Sequence, residues 1–333
     1  MGDGIGAVDA AAGAAAATMA VEDLPLYVLA LVLRRLDGAS LAAVGCACSG
    51  LRDLAADPDT WRALCLALWP SLRDVPCLRS AATGHHYRAL FADAFPFPAM
   101  PPPPPPSASV PAASPPRSLP ARLVSAVDLR HGGACIMSRV VETDASSDWF
   151  LGAPFRVDAL VQEGFTAPAA IAPAELSLSW ILIDPSTGRA LNASSRRPVS
   201  VDRKWLTGDT VARFAVVLGS AGGGGGIALE AAVTCDERHG HVREVSLSAE
   251  DGDGGGVSGR DAIAAVAAAT AGGRRGGRGG EAEAEARRQY EEFETGKRAR
   301  KEWKARREGM VDLCCSGVGA AAFVGFLVML TLR

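Results

Sequence analysis

The sequence predicts an α+β chain with three parts: a small helical module, an antiparallel β-sandwich-like domain, and a C-terminal charged helix that runs into a single transmembrane helix. Three observations support this prediction. Apolar residues recur at helical spacing over residues 21–61, apolar and polar residues alternate after a proline-rich segment, and the stretch Leu313–Leu332 carries no charge. A change of period along a chain indicates a change of domain class.

The helical module begins after Asp23, which is a suitable N-cap, with Pro25 in the first turn. Leucines then follow at steps of three and four residues, which places them on one face of a helix. Gly38 suits the end of this helix, and the same period starts again at Leu41. Three helices in about forty residues cannot bury all of their leucines among themselves, so we expect apolar surface to remain for a partner.

Length and composition limit the classes of function. The chain has 333 residues, enough for two modest domains, and its net charge of −3 excludes a globally basic nucleic-acid-binding protein. Its eight cysteines form no regular framework, which is typical of a reducing compartment. The Ala-rich residues 1–20 have no basic start and no Leu, Ile or Val core, so they predict a disordered leader rather than a secretory signal.

A proline-rich linker is predicted over residues 95–120, which hold twelve of the twenty-one prolines. Residues 61–94 before it are helix-rich and are interpreted as support for the first module. The segments predicted in order are a leader at 1–20, the helical module with its supporting helices at 21–94, the linker at 95–120, a β-rich domain at 121–250, a Gly-rich disordered segment at 251–280, a charged juxtamembrane helix at 281–309 and a transmembrane tail anchor at 310–333.

Alternation defines the β-rich domain. Residues 123–130 and 134–141 flank His131-Gly132-Gly133 as a hairpin. In the strand before the turn at 184–188, Leu176, Leu178, Trp180 and Leu182 lie on one face. Further strands are predicted near 154–157, 211–218, 227–235 and 241–248, a spacing typical of an antiparallel sandwich. Trp149, Trp180 and Trp205 are predicted to pack in its core, with a ligand platform as the alternative.

The ordered motif in the first module resembles an F-box. The residues that carry the resemblance are Leu24-Pro25, Leu29, Leu33, Leu36-Asp37, Ser40-Leu41, Val44, Cys46, Cys48-Ser49, Leu54, Asp57-Pro58 and Trp61. In that family the module binds the adaptor of a cullin-based SCF ubiquitin ligase. The resemblance therefore implies that the docking face is formed or supported by Leu24, Pro25, Leu29, Leu33, Leu36, Leu41, Val44 and Trp61.

The β-rich region also resembles the C-terminal half of a group of plant F-box proteins that end in a hydrophobic tail. The phrases that carry this second resemblance are SRVVETDASSDWFLGAPFRVD, LSLSWILIDPSTGRALN and RRPVSVDRKWLTGD. It implies a role in recruiting a protein substrate, without identifying that substrate.

We interpret the C-terminal segment as a tail anchor. Leu313–Leu332 has the length of a membrane-spanning helix, and the basic cluster over 297–307 would hold the rest of the chain in the cytosol. The expected location is a cytosol-facing membrane, the endoplasmic reticulum, with the nucleus or cytoplasm as the alternative. The predicted anchor residues are Leu313, Phe323, Phe326, Leu327 and Leu330, and the predicted lipidation sites are Cys314 and Cys315.

We therefore predict a non-enzymatic substrate receptor of an SCF-type ligase, whose partners are the adaptor, the cullin scaffold behind it, an unknown protein substrate and a membrane. No catalytic residue, cofactor or nucleic-acid partner is predicted. No metal site is predicted either, because no zinc-ligand spacing is formed by Cys235, Asp236, His239 and His241. The alternatives are a membrane-anchored scaffold that binds the adaptor without a role in ubiquitination, and a soluble nuclear protein with a basic interaction helix.

Overall fold

A computed structural model describes residues 24–79, 85–95, 119–166, 171–219, 226–236, 241–272 and 279–332. The chain divides into two compact units, residues 1–60 and residues 61–333. The predicted leader, most of the predicted proline-rich linker and His239 lie outside the described residues.

The first unit is helical. It contains α1 (Leu26–Leu33), α2 (Gly38–Val44), α3 (Ser49–Ala55) and the start of α4 (Pro58–Leu68). Helix α3 contacts both α1 and α2. Short helices of this kind gain most of their stability from packing, so the contacts of α3 with α1 and α2 hold the unit together.

Helices also begin the second unit. After α4 the chain forms a 3-10 turn at Pro70–Asp74, then α5 (Pro76–Arg79) and α6 (His85–Ala94). The turn is fixed to the first strand by Asp128, whose carboxylate accepts hydrogen bonds from the Ser71 backbone N–H (3.0 Å), the Ser71 hydroxyl (2.6 Å) and the Ser138 hydroxyl (2.7 Å). Arg130 donates to the last carbonyls of α4, those of Ala67 (2.8 Å) and Leu68 (3.1 Å). These bonds hold α4 and the 3-10 turn on the β-rich part of the chain.

Two antiparallel sheets follow, which confirms the α+β class and the antiparallel strands. The first sheet has the order β2-β1-β4-β5 and the second has the order β3-β9-β8-β7-β6. The strands are β1 (Arg122–His131), β2 (Ala134–Asp144), β3 (Arg156–Thr166), β4 (Leu176–Ile183), β5 (Ala190–Asn192), β6 (Ser200–Arg203), β7 (Thr210–Leu218), β8 (Ile227–Asp236) and β9 (His241–Glu250). The predicted hairpin is present, with Gly132 and Gly133 at positive φ in its turn.

One hydrophobic core takes side chains from both sheets. Its largest fully buried members include Trp180, Phe155, Phe214, Leu129 and Leu178. The second sheet also has an outer face, where Ala215, Val217 and Ala228 form a smaller cluster with aromatic residues from the C-terminal helix.

Two helices between and after the strands were not anticipated from the sequence. Helix α7 (Asp148–Gly152) contacts α8 (Gly259–Gly272), which forms inside the segment expected to be flexible. The cause is a run of alanines, the best helix formers, preceded by a reciprocal cap in which Ser258 and Asp261 hydrogen-bond to each other. Gly259 allows the close approach of the two helices, because a Cβ there would lie 2.1 Å from the Phe150 carbonyl oxygen.

Arg189 joins three elements of the second unit. It donates to both carboxylate oxygens of Asp93 on α6, at 2.6 and 3.2 Å, and to the Thr270 carbonyl in the last turn of α8. The neighbouring Ala190 N–H at the start of β5 donates to the same carboxylate at 3.2 Å. A bidentate guanidinium–carboxylate pair fixes orientation as well as distance.

The last helix, α9 (Gly279–Thr331), packs with its first half on the outer face of the second sheet. Tyr290 and Phe293 are buried there, and the Tyr290 hydroxyl donates to Glu230 at 3.2 Å. Farther along, Lys297 pairs with Glu250 at 3.0 Å and Arg300 donates to the Gly252 carbonyl at 2.8 Å. This half is therefore packed as part of the second unit.

The predicted transmembrane helix is wrong. Within the described residues, no helix is both long enough and apolar enough to cross a membrane. The strongly apolar part begins at Phe323 and continues with Phe326, Leu327 and Leu330, and ten helical residues rise about 15 Å, half of the hydrocarbon core of a bilayer. The side chains of Leu313, Cys314 and Cys315 lie outside the described residues.

Candidate protein-binding surfaces

The first helix separates its apolar residues into two groups. Leu29 and Leu33, 7% and 5% exposed, lie on its buried side. Leu26, Tyr27, Leu31 and Val32 lie on its exposed side, with Leu26 at 68% and Leu31 at 59%. We call the exposed set, together with the exposed Pro25, the α1 surface. Clustered exposed apolar side chains of this size are typical of protein interaction sites.

The residues expected to form or support the docking face occupy three different environments. Leu29, Leu33 and Leu41 are buried, Leu24, Leu36 and Val44 are half-buried, and Pro25 is exposed. Trp61 belongs to the second unit, where its ring lies 5.3 Å from that of Phe91. Their roles in adaptor binding stay predictions.

The predicted docking face omits Leu26, Tyr27, Leu31 and Val32. Leu26 follows the same period as Leu29 and Leu33 but begins the helix, where it is exposed. The other three lie off that period, which selects mainly the core of the unit. The available signal was the presence of Tyr27, Leu31 and Val32 between the periodic leucines, where a surface helix normally has polar residues.

Local hydrogen bonds fix the helices behind this surface. Asp37 caps α2 by accepting from the Ser40 backbone N–H at 2.8 Å, and this bond lowers the pKa of the Asp37 carboxyl. Asp57 caps α4 through the Thr60 N–H at 3.1 Å, and Arg34 at the end of α1 lies 4.0 Å from the same carboxylate. The capping side chains of Asp37 and Asp57 thus fix where α2 and α4 begin.

Two of the three tryptophans that were predicted to pack in the core of the β-rich domain are exposed. Trp180 is fully buried in the core, as predicted, but Trp149 on α7 is 80% exposed and Trp205 in the β6–β7 turn is 87% exposed, so the prediction that these two pack in the core is wrong. Each of these two tryptophans follows a charged residue in a short segment that connects two strands, and no element among the described residues covers its side chain. Leu206, next to Trp205, is 76% exposed.

No group of three or more metal-ligating side chains lies close enough to hold a metal ion anywhere in the described part of the chain. Cys235 is buried in the core, and burial raises the pKa of its thiol to about 11. It is therefore protonated at neutral pH and is a poor metal ligand or nucleophile. The absence of a catalytic function stays a prediction.

Comparison with known proteins identifies the family. The family model described as F-box-like matches residues 21–67. The chain is 36% identical to the probable F-box protein At2g36090 of Arabidopsis thaliana, over 89% of each chain. It is 34% identical to F-box protein At2g27310 of the same plant, over 91% of this chain and 93% of the relative, and 35% identical to F-box protein At3g44326, over 89% and 86%.

No solved structure shows significant similarity to the chain. The family match covers α1 to α3 and most of α4, the helices that carry the α1 surface. The relatives extend the similarity through both sheets to nearly the whole length. The chain is therefore a member of the plant F-box proteins, which in general act as substrate receptors of SCF-type ubiquitin ligases and not as enzymes.

Proposed function

We propose that this chain binds the SCF adaptor through the α1 surface and presents a protein target with its second unit. The observation that carries the proposal is the exposure of Leu26, Tyr27, Leu31 and Val32 on one short helix whose other leucines are buried. A monomer gains nothing in solution from this arrangement, whereas a partner would remove these side chains from water.

Leu24 and Leu36 flank this helix in sequence and Val44 ends α2; all three are half-buried, and we propose that they form the rim of the same contact. Buried Leu29, Leu33 and Leu41 then have a supporting role, because they fix the helices that carry the contact residues. Through the adaptor the chain would join the cullin scaffold, and the partner chains would perform the chemistry of ubiquitin transfer.

The target-recruiting role of the second unit is supported by its construction. Residues 61–79 and 85–95 belong to the same compact unit as both sheets, to which Asp128, Arg130 and Arg189 join them, and the two sheets share one hydrophobic core. A rigid body with exposed aromatic residues is suited to binding a protein at low entropic cost.

The first experiment tests the adaptor contact. We expect the double variant Leu26→Ala, Leu31→Ala to lose co-purification with a plant SCF adaptor, while Leu206→Ala, an equally exposed leucine in the other unit, keeps it. Thermal unfolding of both variants should match the parent chain, because exposed leucines contribute little to stability. Unchanged adaptor binding in the double variant would exclude the α1 surface.

The second experiment separates a receptor from a scaffold. Proteins that co-purify with the full chain are quantified in plant cells expressing either the parent chain or the Leu26→Ala, Leu31→Ala variant. If the chain is a substrate receptor, at least one protein that binds both the parent chain and the variant should be more abundant with the variant, because that protein is no longer delivered to the ligase. If none increases, the scaffold alternative is favoured.

A further inference from the structure

The first sheet ends in a long strand whose outer edge is open. Strand β2 lies at the end of the order β2-β1-β4-β5, and its pairing with β1 runs without interruption from Asp144 to Met137. Its 11 residues include no proline, glycine or lysine. A regular edge strand of this length presents a row of backbone N–H and C=O groups to which another chain can add as a further strand.

The hydrogen-bond pattern identifies the β2 residues whose backbone groups point outward. The Ala145 N–H donates to the Ala121 carbonyl at 3.0 Å, so these two residues form a hydrogen-bonded pair next to the end of the ladder. Such pairs alternate with non-hydrogen-bonded pairs in an antiparallel ladder, so the N–H and C=O groups of Ser138, Val140 and Glu142 point away from β1. In the parts of the chain that the structure describes, no strand pairs with these groups.

The other three sheet edges are protected against such addition. Strands β5 and β6 have three and four residues, and β5 also contacts α6 and α8. Strand β3 has two irregularities of register along its pairing with β9. Short strands, covering helices and bulges are the devices by which proteins protect their sheet edges. Residues 137–144 of β2 have none of these devices, and the 3-10 turn and β3 contact β2 without pairing with it.

Two valines flank the open edge. Val140 and Val141 are consecutive, lie on opposite faces of β2 and are both half-buried. Val141 packs against the core that the two sheets share. A strand added at this edge would remove the rest of both side chains from water, and β-branched or aromatic residues opposite them would stabilise the pairing. The structure therefore favours a partner with two consecutive apolar residues in extended conformation.

A second copy of β2 is a poor partner for this edge. Opposed residues in an antiparallel pair share one face, whereas Arg139 lies on the other face of β2 from Glu142 and Asp144. No symmetric pairing of residues 137–144 with a second copy can therefore place Arg139 opposite a carboxylate. Each charge would face an uncharged residue or a like charge, and a strand of a different sequence avoids this cost.

We propose that the outer edge of β2 binds an extended segment of a protein target by β-strand addition. The backbone groups of Ser138, Val140 and Glu142 would exchange hydrogen bonds with the segment, and Val140 and Val141 would contact its apolar side chains. This inference rests on the proposed function, because it assigns the target contact to one edge of the second unit.

The test measures the binding of peptides to the full chain. Short random peptides are selected on the parent chain and counter-selected on the variant Val140→Pro, which removes one outward N–H and leaves the hydrogen bonds between β1 and β2 in place. The affinities of synthetic fluorescent copies are measured by anisotropy. We expect peptides with consecutive apolar residues whose binding is weakened about 10-fold or more by Val140→Pro.

A backbone scan of the selected peptides uses only the parent chain and so does not depend on the folding of a variant. Each peptide is N-methylated at one residue at a time. An added strand directs alternate N–H groups toward β2, so binding should weaken at every second residue and stay unchanged at the residues between them. Equal weakening at consecutive residues would overturn the proposal, because it indicates a different bound conformation.

The matched control is Val201→Pro, the same substitution on the edge strand β6. The Lys204 N–H donates to the Asp209 carbonyl at 2.8 Å, so the same alternation places the Val201 N–H on the outer side of β6. This variant should bind the peptides as the parent chain does. The proposal is overturned if no selected peptide distinguishes Val140→Pro from Val201→Pro. It is also overturned if sedimentation shows a dimer of the parent chain that Val140→Pro abolishes, since a second copy then occupies the edge.

Adaptor binding is measured in the same samples. If the parent chain binds the peptides but not the adaptor, the proposed function fails and the assignment of the β2 edge as a peptide-binding site survives. If it binds the adaptor but no peptide that depends on Val140, only the assignment of the edge fails.

Discussion

The difference between exposed and buried leucines on α1 leads to a quantitative prediction. Full burial of a leucine contributes about 1.5–3 kcal/mol, so covering the exposed two thirds of Leu26 or Leu31 contributes about 1–2 kcal/mol each. Leu26→Ala with Leu31→Ala should therefore raise the Kd for the adaptor at least about 30-fold. The free energy of unfolding should change by less than about 0.5 kcal/mol per substitution.

The buried leucines should behave in the opposite way. Leu29→Ala or Leu33→Ala removes core atoms and should lower the free energy of unfolding by about 2–5 kcal/mol. The fraction of chain that binds the adaptor should then fall only in proportion to the fraction in which the first unit is unfolded. The assay combines urea unfolding monitored by circular dichroism with calorimetric titration of the adaptor at a temperature where every variant is folded.

The result that would refute this reasoning is specific. If Leu29→Ala weakens adaptor binding while the first unit remains folded, or if the exposed pair lowers stability as much as the buried pair, the assignment of surface and core on α1 is wrong. Leu206→Ala is the control for a general effect of removing an exposed leucine.

Three further predictions concern the second unit. Burial raises the pKa of Asp128 above 3.8, so wild-type stability should fall relative to Asp128→Asn as pH rises from about 4 through that raised pKa, measured as the difference between two pH–stability curves. Gly259→Ala should destabilise the unit by more than about 2 kcal/mol in thermal unfolding, because its Cβ would overlap the Phe150 carbonyl. Phe293→Ala should cost about 3 kcal/mol and increase hydrogen exchange over residues 285–300, since this ring anchors α9 to the sheet.

Each of these has a control in the same chain. Asp144→Asn at the exposed end of β2 is a control of opposite sign: hydrogen bonds from Ser146 lower the pKa of the Asp144 carboxyl, so wild-type stability should rise relative to Asp144→Asn as pH rises through that lowered pKa. Gly309→Ala lies on α9 with open space around its Cβ position and should not destabilise the unit. Trp303→Ala removes an exposed aromatic residue from the same helix and should leave exchange over 285–300 unaffected.

The strands that follow from local pattern were predictable, and those that depend on tertiary pairing were not. The hairpin around Gly132 and the alternating β4 have signals within a few residues. Strands β5 and β6 have three and four residues, too few for a period to be visible, and they exist because β4 and β7 pair with them.

The candidate surfaces were only partly predictable for a related reason. The resemblance located the adaptor-binding module, but the leucine period alone does not separate its core from its outer surface, because Leu29 and Leu33 are buried whereas Leu26 is exposed. For Trp149 and Trp205, the usual burial of indoles favours the core, and only the positions of α7 and the β6–β7 turn in the fold show that both are exposed.

The hydrogen bonds of Asp128 and Arg189 determine where this protein can be divided for biochemical work. The composition suggests a cut in the proline-rich segment, but that cut would remove Ser71 and Asp93, the partners of two groups on the sheets. A buried polar group without its partner costs about 1–3 kcal/mol, a large share of the stability of a domain. Truncations that begin just before Asp57 keep these partners and the cap of α4, and should yield the better-behaved fragment for target-binding studies.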